Sequence, residues 1–209
     1  MGSDVALALA ERDLCDIVLY DIDQDRARFL ATDLSDTAFA HGFRPRVSSV
    51  RTMEELAECD VVLLAAGARM EPGMAAADVF AKNRALVQQI TDAFVGSSTL
   101  FVLASEPIDL MTAELRRKLQ IPSSRVLGLG GVIDSYRLRH ALASALEMSP
   151  DAITAHVVGP GTSEAQILWD YTTISGMPAA AVAGDQVVAE GEKDFAAERE
   201  TRLKRPTES

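Results

Sequence analysis

Short apolar runs alternate with helix-length segments along this chain, and this alternation restricts its fold more than any other feature. Three runs of strand length, at 17–20, 61–65 and 100–104, lack a polar face, which is the pattern of a strand buried on both sides. Longer segments follow them and predict helices at 23–34, 78–94 and 108–119. Strands that alternate with helices form a parallel sheet covered on both faces. The chain is therefore predicted to fold as a doubly wound α/β domain.

Weaker patterns extend this prediction towards both ends. An i, i+3, i+4 spacing of Val5, Ala8 and Leu9 is typical of an opening helix. From Glu190 the chain is highly charged, which predicts a solvated helix that Pro206 should end. Shorter strands are predicted at 46–50, 125–127 and 153–158, and a further helix at 133–148.

Composition and charge exclude several classes of protein. The net charge of −11 disfavours nucleic acid as a partner, because phosphate binding needs a basic face. The apolar run at the N-terminus is short and flanked by acids, so a signal peptide is not expected, and no apolar run reaches the length of a membrane span. Cys15 and Cys59 lie in no CxxC or Cys/His cluster, so a disulfide framework or a metal site is not expected. A cytoplasmic protein is predicted.

Candidate ligand-binding residues fall at the carboxyl ends of the predicted strands, where ligands bind in open parallel sheets. Asp21 follows the first run, and its carboxylate could accept both hydroxyls of an adenosine ribose or act as a turn or cap aspartate. Gly67 follows the second run and either lets the backbone approach a ligand or makes a tight turn. Ser105–Glu106 and the Gly128–Gly131 turn should lie on the same rim.

A second group of candidate ligand-binding residues lies near the start of the predicted helix at 133–148. Asp134 and Arg137 are three residues apart and share a helix face. An acid there can orient a histidine, and an arginine can hold a carboxylate with two hydrogen bonds. Spacing alone favours a plain intrahelical ion pair worth about 0.3–0.5 kcal/mol. The three histidines, His41, His140 and His156, lie outside the glycine-rich loops.

Taken in order, the motifs resemble the lactate/malate dehydrogenase family from Gly2 to about Pro178. VALALAERD resembles the helix behind the dinucleotide loop, and IVLYDID resembles the strand that carries the ribose aspartate. VVLLAAGARMEPGM and FVLASEPIDLMT resemble the two strands beside the nicotinamide and the loop that follows the first. RVLGLGGVIDSYRLR and HVVGPGTSE resemble the segments of the relay aspartate and the catalytic histidine.

The resemblance implies a Rossmann-type NAD-binding domain at 1–131 and an incomplete α+β substrate domain with a charged tail at 132–209. It implies hydride transfer between NAD(H) and a small 2-hydroxy or 2-oxo acid, in a homo- or hetero-oligomer. By residue, it places Asp134 as the relay aspartate and Arg137 and Asn83 at the substrate. The residues it places at the cofactor are Gly2, Asp21, Ile22, Ala66, Gly67, Ala68, Ser105 and Glu106.

Several positions depart from the family pattern. The two arginines of the mobile loop fall on Met70 and Ala76, and an asparagine falls on Glu106. The histidine loop becomes 159–163, which contains no histidine, so Asp134 has lost its predicted partner. The family's first strand and first two loop glycines would precede Gly2. The sheet is therefore expected to lack its first strand, which leaves a slot about 10 Å wide between the strands that end near Asp21 and Ala65.

These features support three functional hypotheses. The first is a working NAD-dependent dehydrogenase for a 2-hydroxy acid of the lactate or malate type, whose chemistry the lost residues would impair. The second is a non-catalytic family remnant, or a partner subunit of an intact homologue, because segments that pack are retained while residues that react are lost. The third, and the weakest, is a new activity with Glu106 as the base beside Arg137.

Overall fold

The computed structural model describes residues 1–44, 46–68, 71, 73–159 and 165–204. Six helical segments are present in this part of the chain, the last of which is broken at Gly184, along with ten short strands and four 3-10 turns. The helices are α1 (Gly2–Glu11), α2 (Gln24–His41), α3 (Ala76–Ala93), α4 (Ile108–Leu119), α5 (Gly130–Ala145) and α6 (Ala179–Lys204). The strands are β1 (Ile17–Leu19), β2 (Val47–Ser49), β3 (Val61–Leu64), β4 (Leu100–Leu103), β5 (Val126–Gly128), β6 (Ile153–Thr154), β7 (Val157–Val158), β8 (Gln166–Ile167), β9 (Thr173–Ile174) and β10 (Met177–Pro178).

The chain divides into two compact units, and neither is a single continuous segment. The first unit contains Met1–Gly67, Asn83–Ser105 and Ala113–Leu127. The second unit contains Ala68–Lys82, Glu106–Thr112 and Gly128–Ser209. The boundary between a nucleotide domain and a substrate domain near residue 131 stays a prediction.

Parallel strands build the first unit, as the alternating pattern predicts. β1 pairs with β2 in register from Ile17 to Leu19, and β3 pairs with β4 from Val61 to Leu64, both in parallel. β5 joins the other edge of β4. Within the described residues β1 and β3 belong to different sheets, so the two strands that were expected to flank a slot do not pair with each other. The α/β fold class is confirmed.

The helices of the first unit cover these sheets with small and branched apolar side chains. Asp23 caps α2 by accepting a hydrogen bond from the Arg26 backbone N–H at 3.1 Å, and Gly42 ends the helix in a left-handed conformation. α2 therefore extends past Leu34, where the charged pattern predicted it to end. One core cluster joins α1, α2 and β1 and contains Ala6, Ala10, Ile17, Leu34 and Phe43.

The second unit packs α5 against α6 and against two small antiparallel sheets. The predicted strand at 153–158 is two strands, because β6 pairs with β9 while β7 pairs with β8. The shared core contains Leu138, Leu142, Ile153, Ile174 and Phe195.

The charged C-terminal segment is packed rather than wholly solvated. α6 begins at Ala179 and its helical backbone breaks at Gly184, which has a φ of +70°. Phe195, in the part after this break, is only 3% exposed in the core of the second unit. The backbone of α6 comes so close to α5 that a Cβ on Gly191 would lie 2.6 Å from the Leu142 Cδ2. The expectation of a solvated tail was therefore wrong at Phe195, because one apolar ring on the α5-facing side outweighs the charge of its neighbours. Pro206 lies outside the described residues.

None of the helices in the described part of the chain combines the length and the apolar character needed to span a bilayer.

Candidate functional site

The end of β1 presents a partly exposed carboxylate. Asp21 follows the strand by two residues, and its Oδ1 accepts a hydrogen bond from the Asp23 backbone N–H at 3.0 Å. This bond holds the carboxylate in the turn that leads to α2. The predicted turn role of Asp21 is therefore observed, while its contact with a ribose stays a prediction. Ile22, the next residue, is 88% exposed.

The end of β3 is a glycine turn packed against a buried amide. Gly67 has a φ of +112°, a conformation that disfavours side chains, while Ala66 and Gly67 are exposed. Asn83 on α3 is 2% exposed, and a Cβ on Gly67 would lie 2.7 Å from its Oδ1. The Asn83 side chain thus shapes the turn after β3 rather than presenting its amide to solvent.

The end of β4 is tied to the end of β3. The buried hydroxyl of Ser105 donates a hydrogen bond to the Leu64 carbonyl at 3.1 Å. The same carbonyl accepts the Ala104 backbone N–H at 2.9 Å. Ser105 therefore fixes the relative position of the two strand ends, which gives this rim of the first unit a rigid base.

The second unit contributes a buried ion pair at the start of α5. The Arg137 Nη1 donates to the Asp134 Oδ1 at 2.8 Å, and the two side chains are 30% and 3% exposed respectively. The i, i+3 spacing that suggested a shared helix face is realised as a direct bond. The pair is nonetheless unlike an ordinary surface ion pair, because its carboxylate is withdrawn from water.

A serine next to this pair fastens α5 to β7. The Ser135 hydroxyl donates to the Gly131 carbonyl at 2.6 Å and accepts the Val157 backbone N–H at 2.8 Å. A Cβ on Gly131 would lie 2.9 Å from the Val157 carbonyl oxygen, so helix and strand are in backbone contact. Sequence reasoning missed Ser135. Its signal was the i, i+4 spacing from Gly131, at which a serine hydroxyl often bonds back to the helix.

A known family accounts for this arrangement. The profile of the lactate/malate dehydrogenase NAD-binding domain matches residues 1–128, more than half of the chain. The chain belongs to the lactate/malate dehydrogenase family.

The curated relatives that this chain resembles include both malate and lactate dehydrogenases. A malate dehydrogenase from Chlorobium chlorochromatii is 31% identical over 182 residues, covering 85% of this chain and 58% of the relative. An L-lactate dehydrogenase from Shouchella clausii is 33% identical over 183 residues, covering 85% of this chain and 55% of the relative. The chain thus spans a little over half the length of these two relatives.

Solved structures of family members share the fold of nearly the whole chain. Malate dehydrogenase from Salinibacter ruber superposes with a TM-score of 0.81 at 28% identity, covering 96% of this chain and 65% of that structure. Malate dehydrogenase from Plasmodium falciparum gives a TM-score of 0.88 at 20% identity, covering 96% of this chain and 65% of that structure, a likeness of fold alone.

The remaining residues that the family resemblance placed at a site are distributed over both units. In the first unit, Gly2 begins α1 and its Cα faces Ala65, whose Cβ would be 3.7 Å from a Cβ added to the glycine. Ala68 and Glu106 belong to the second unit, and Glu106 is exposed. The assignments of all these residues to a cofactor or substrate stay predictions.

The positions at which the chain departs from the family pattern are only partly described. Met70 and residues 160–163 of the predicted histidine loop lie outside the described residues. Ala76 is the first residue of α3. His140 and His156 are both exposed, whereas the Asp134 carboxylate is buried and bonded to Arg137. On α5, His140 lies six positions after Asp134, so the two side chains point about 120° apart around the helix axis.

Proposed function

We propose that this protein binds NAD(H) and a small 2-oxo or 2-hydroxy acid of the lactate or malate type, and that its hydride-transfer chemistry is impaired. Family membership supports the ligand classes. The observation that carries the impairment is the pairing of Asp134: its carboxylate bonds to Arg137 at 2.8 Å, and the loop that should supply a histidine contains none. Loss of a general acid or base typically slows such a reaction by about 10²–10⁴-fold.

The rim of the first unit fits a dinucleotide. Gly67 keeps the turn after β3 free of a side chain, and Asp21 presents a carboxylate beside the end of β1. In the proposal, Asp21 accepts the ribose hydroxyls, the backbone of Ala66 and Gly67 approaches the nicotinamide end, and Ser105 keeps the strand ends in place. NAD(H), when bound, would accept or supply the hydride.

The start of α5 fits a carboxylate. Arg137 donates one N–H group to Asp134, and its side chain is 30% exposed. Other N–H groups among the five of its guanidinium can therefore donate to a substrate carboxylate. A proton must also reach the reduced carbonyl oxygen, and in the proposal no imidazole beside Asp134 delivers it. Water would have to do so, which is the physical reason for slow turnover.

The test is an NADH titration by fluorescence followed by reduction of pyruvate and oxaloacetate. We expect saturable NADH binding that Asp21→Ala weakens and Asp33→Ala, an exposed acid on α2, leaves unchanged. We expect turnover about 10²–10⁴-fold below that of an intact family member. Equal turnover would refute the impairment, and absence of NADH binding would refute the ligand assignment.

A second candidate function is a non-catalytic partner subunit of an intact homologue. It is favoured by β1 and β3, which lie in separate sheets within the described residues, and by Val18 and Val61, which are 36% and 51% exposed. A strand edge without a partner is a template for pairing with another chain. Co-purification with an intact homologue, measured as a shared mass by light scattering, is expected for a partner subunit. A monomer in the presence of excess homologue would count against it.

A cytoplasmic location completes the proposal. Cys15 and Cys59 are both free thiols, and free thiols are typical of a reducing compartment.

A further inference from the structure

The ion pair between Asp134 and Arg137 differs from the other ion pairs of the described residues in how little solvent reaches it. Its side chains are 3% and 30% exposed. On the same helix, Arg139 also pairs with an acid, but that acid, Asp151, is 95% exposed. An exposed carboxylate costs little to keep charged. A buried carboxylate loses its hydration, and a partner must compensate for that loss.

A buried ion pair of this kind contributes little to the stability of a fold. Apolar residues of similar volume usually serve a fold as well or better. What an ion pair does supply is a fixed direction, because a carboxylate that cannot turn in water holds a planar guanidinium in one orientation. The exposed part of Arg137 is therefore aimed by a group that is itself immobile.

The frame around the pair is also fixed. Ser135, between the two charged residues, bonds both to Gly131 within the helix and to the Val157 backbone N–H of β7. Gly131 allows helix and strand backbones to touch. The turn of α5 that carries Asp134 is thus bonded to β7. The position of the Arg137 guanidinium, which Asp134 holds, is therefore fixed relative to β7.

We infer that Asp134 is a positioning residue for Arg137: it holds the guanidinium in the orientation that receives a carboxylate, in place of orienting a histidine. The inference rests on the proposed function for the identity of the carboxylate, a small 2-oxo acid. The placement of Arg137 by Asp134 does not depend on any ligand. The two statements can therefore be tested separately.

The first experiment measures the arginine without a ligand. Phenylglyoxal modifies free guanidinium groups, and peptide mass spectrometry gives the rate at each arginine of the full chain. In Asp134→Asn we expect modification of Arg137 to accelerate several-fold while Arg139 is unchanged. In the matched control, Asp151→Asn, Arg139 should accelerate and Arg137 should not. An unchanged rate at Arg137 in Asp134→Asn overturns the inference.

A measurement on the unmodified protein covers the case in which Asp134→Asn fails to fold. In ¹⁵N spectra of the arginine side chains, a guanidinium held by a buried carboxylate rotates slowly about its Nε–Cζ bond, and its Nη protons are resolved. We expect resolved Nη signals for Arg137, assigned by their loss in Arg137→Lys. An averaged signal across the accessible temperatures overturns the inference as well.

The second experiment adds the ligand and isolates the proposed function. With NADH present, we expect pyruvate to bind the wild-type chain and Asp134→Asn to weaken it by about tenfold, the value of one charge-assisted hydrogen bond. In an Arg137→Gln background, Asp134→Asn should weaken binding no further, because it acts only through Arg137. A further loss there overturns the inference. No pyruvate binding to the wild type, with the modification rates as expected, refutes the proposed ligand and leaves the positioning role supported.

Discussion

The backbone of Gly67 rests against the buried side-chain amide of Asn83, so that a Cβ at position 67 would lie 2.7 Å from the Asn83 Oδ1 and 2.9 Å from its Cγ. Distances this short cannot be relieved by turning a flexible side-chain end, because Asn83 is 2% exposed and enclosed. The turn after β3, at the rim proposed to meet the nicotinamide, thus depends on a contact between two residues sixteen positions apart.

This contact predicts a large effect of Gly67→Ala. The alanine would carry both the strain of a φ near +112° and the clash with Asn83, for a loss of about 2–4 kcal/mol in the free energy of unfolding. Gly96→Ala is the matched control, since Gly96 also has a positive φ but nothing within 4 Å of a Cβ. It should lose only about 1 kcal/mol. Urea unfolding measures both.

A double substitution separates the two causes. Asn83→Ala removes the atoms that a Cβ on Gly67 would meet, so Gly67→Ala should cost less in that background than in the wild type. Additive losses would show that the contact contributes nothing and that backbone strain alone requires the glycine.

The sequence predicted the parallel strands well because the information for them is local. The runs that became β1, β3 and β4 are apolar on both faces, and that pattern needs no knowledge of partners. The role of Asn83 against Gly67 was not predictable in the same way. The resemblance suggested a substrate contact for Asn83, whereas its burial depends on how α3 packs beside the end of β3, a relationship that no local pattern encodes.

The same distinction applies to the candidate site of the second unit. Spacing predicted that Asp134 and Arg137 share a helix face, and they do. Spacing could not tell a solvated ion pair from a buried one. The difference comes from β7, which Ser135 draws onto α5, and from the core cluster beneath the helix. The apolar pattern also predicted a single strand at 153–158, because it could not show that β6 and β7 pair with different strands.

The C-terminal helix offers a prediction about long-range packing. Phe195→Ala should destabilise the protein by about 3 kcal/mol, because it empties a ring-sized volume in the core of the second unit. Lys193→Ala, two residues earlier and exposed, should change stability little. Thermal unfolding of the two variants measures the difference. Equal stabilities would mean that α6 does not belong to the folded core.

The two free cysteines should differ in reactivity. Burial raises the pKa of the Cys59 thiol, and the negative charges of Asp60 and Glu58 raise that pKa further. Cys15 is exposed. Because the thiolate is the reactive form, iodoacetamide at mildly alkaline pH should alkylate Cys15 faster than Cys59, as followed by peptide mass spectrometry. Asp60→Asn should speed the reaction of Cys59. Faster alkylation of Cys59 in the wild type would contradict the assigned environment.

A carboxylate beside the 3-10 turn at Glu54–Glu58 predicts a pH dependence of stability. The Glu55 Oε1 accepts the backbone N–H groups of Thr52 at 2.9 Å and Arg51 at 3.0 Å. These two bonds hold the pKa of Glu55 below its ordinary value of 4.5, and the bond from Thr52 has the larger effect.

The sign of the effect follows from that direction. A carboxyl whose pKa is lower in the folded state stabilises the protein above its ordinary pKa, and this stabilisation disappears as the pH falls through the lowered value. Glu55→Gln should therefore be less stable than the wild type near neutral pH and approach it in acid. Glu54→Gln removes the same charge without breaking those two bonds, so its difference from the wild type should depend less on pH. Chemical unfolding of the three proteins across the acidic range measures this, and parallel curves for Glu55→Gln and the wild type would show that the two bonds do not stabilise the charged carboxylate.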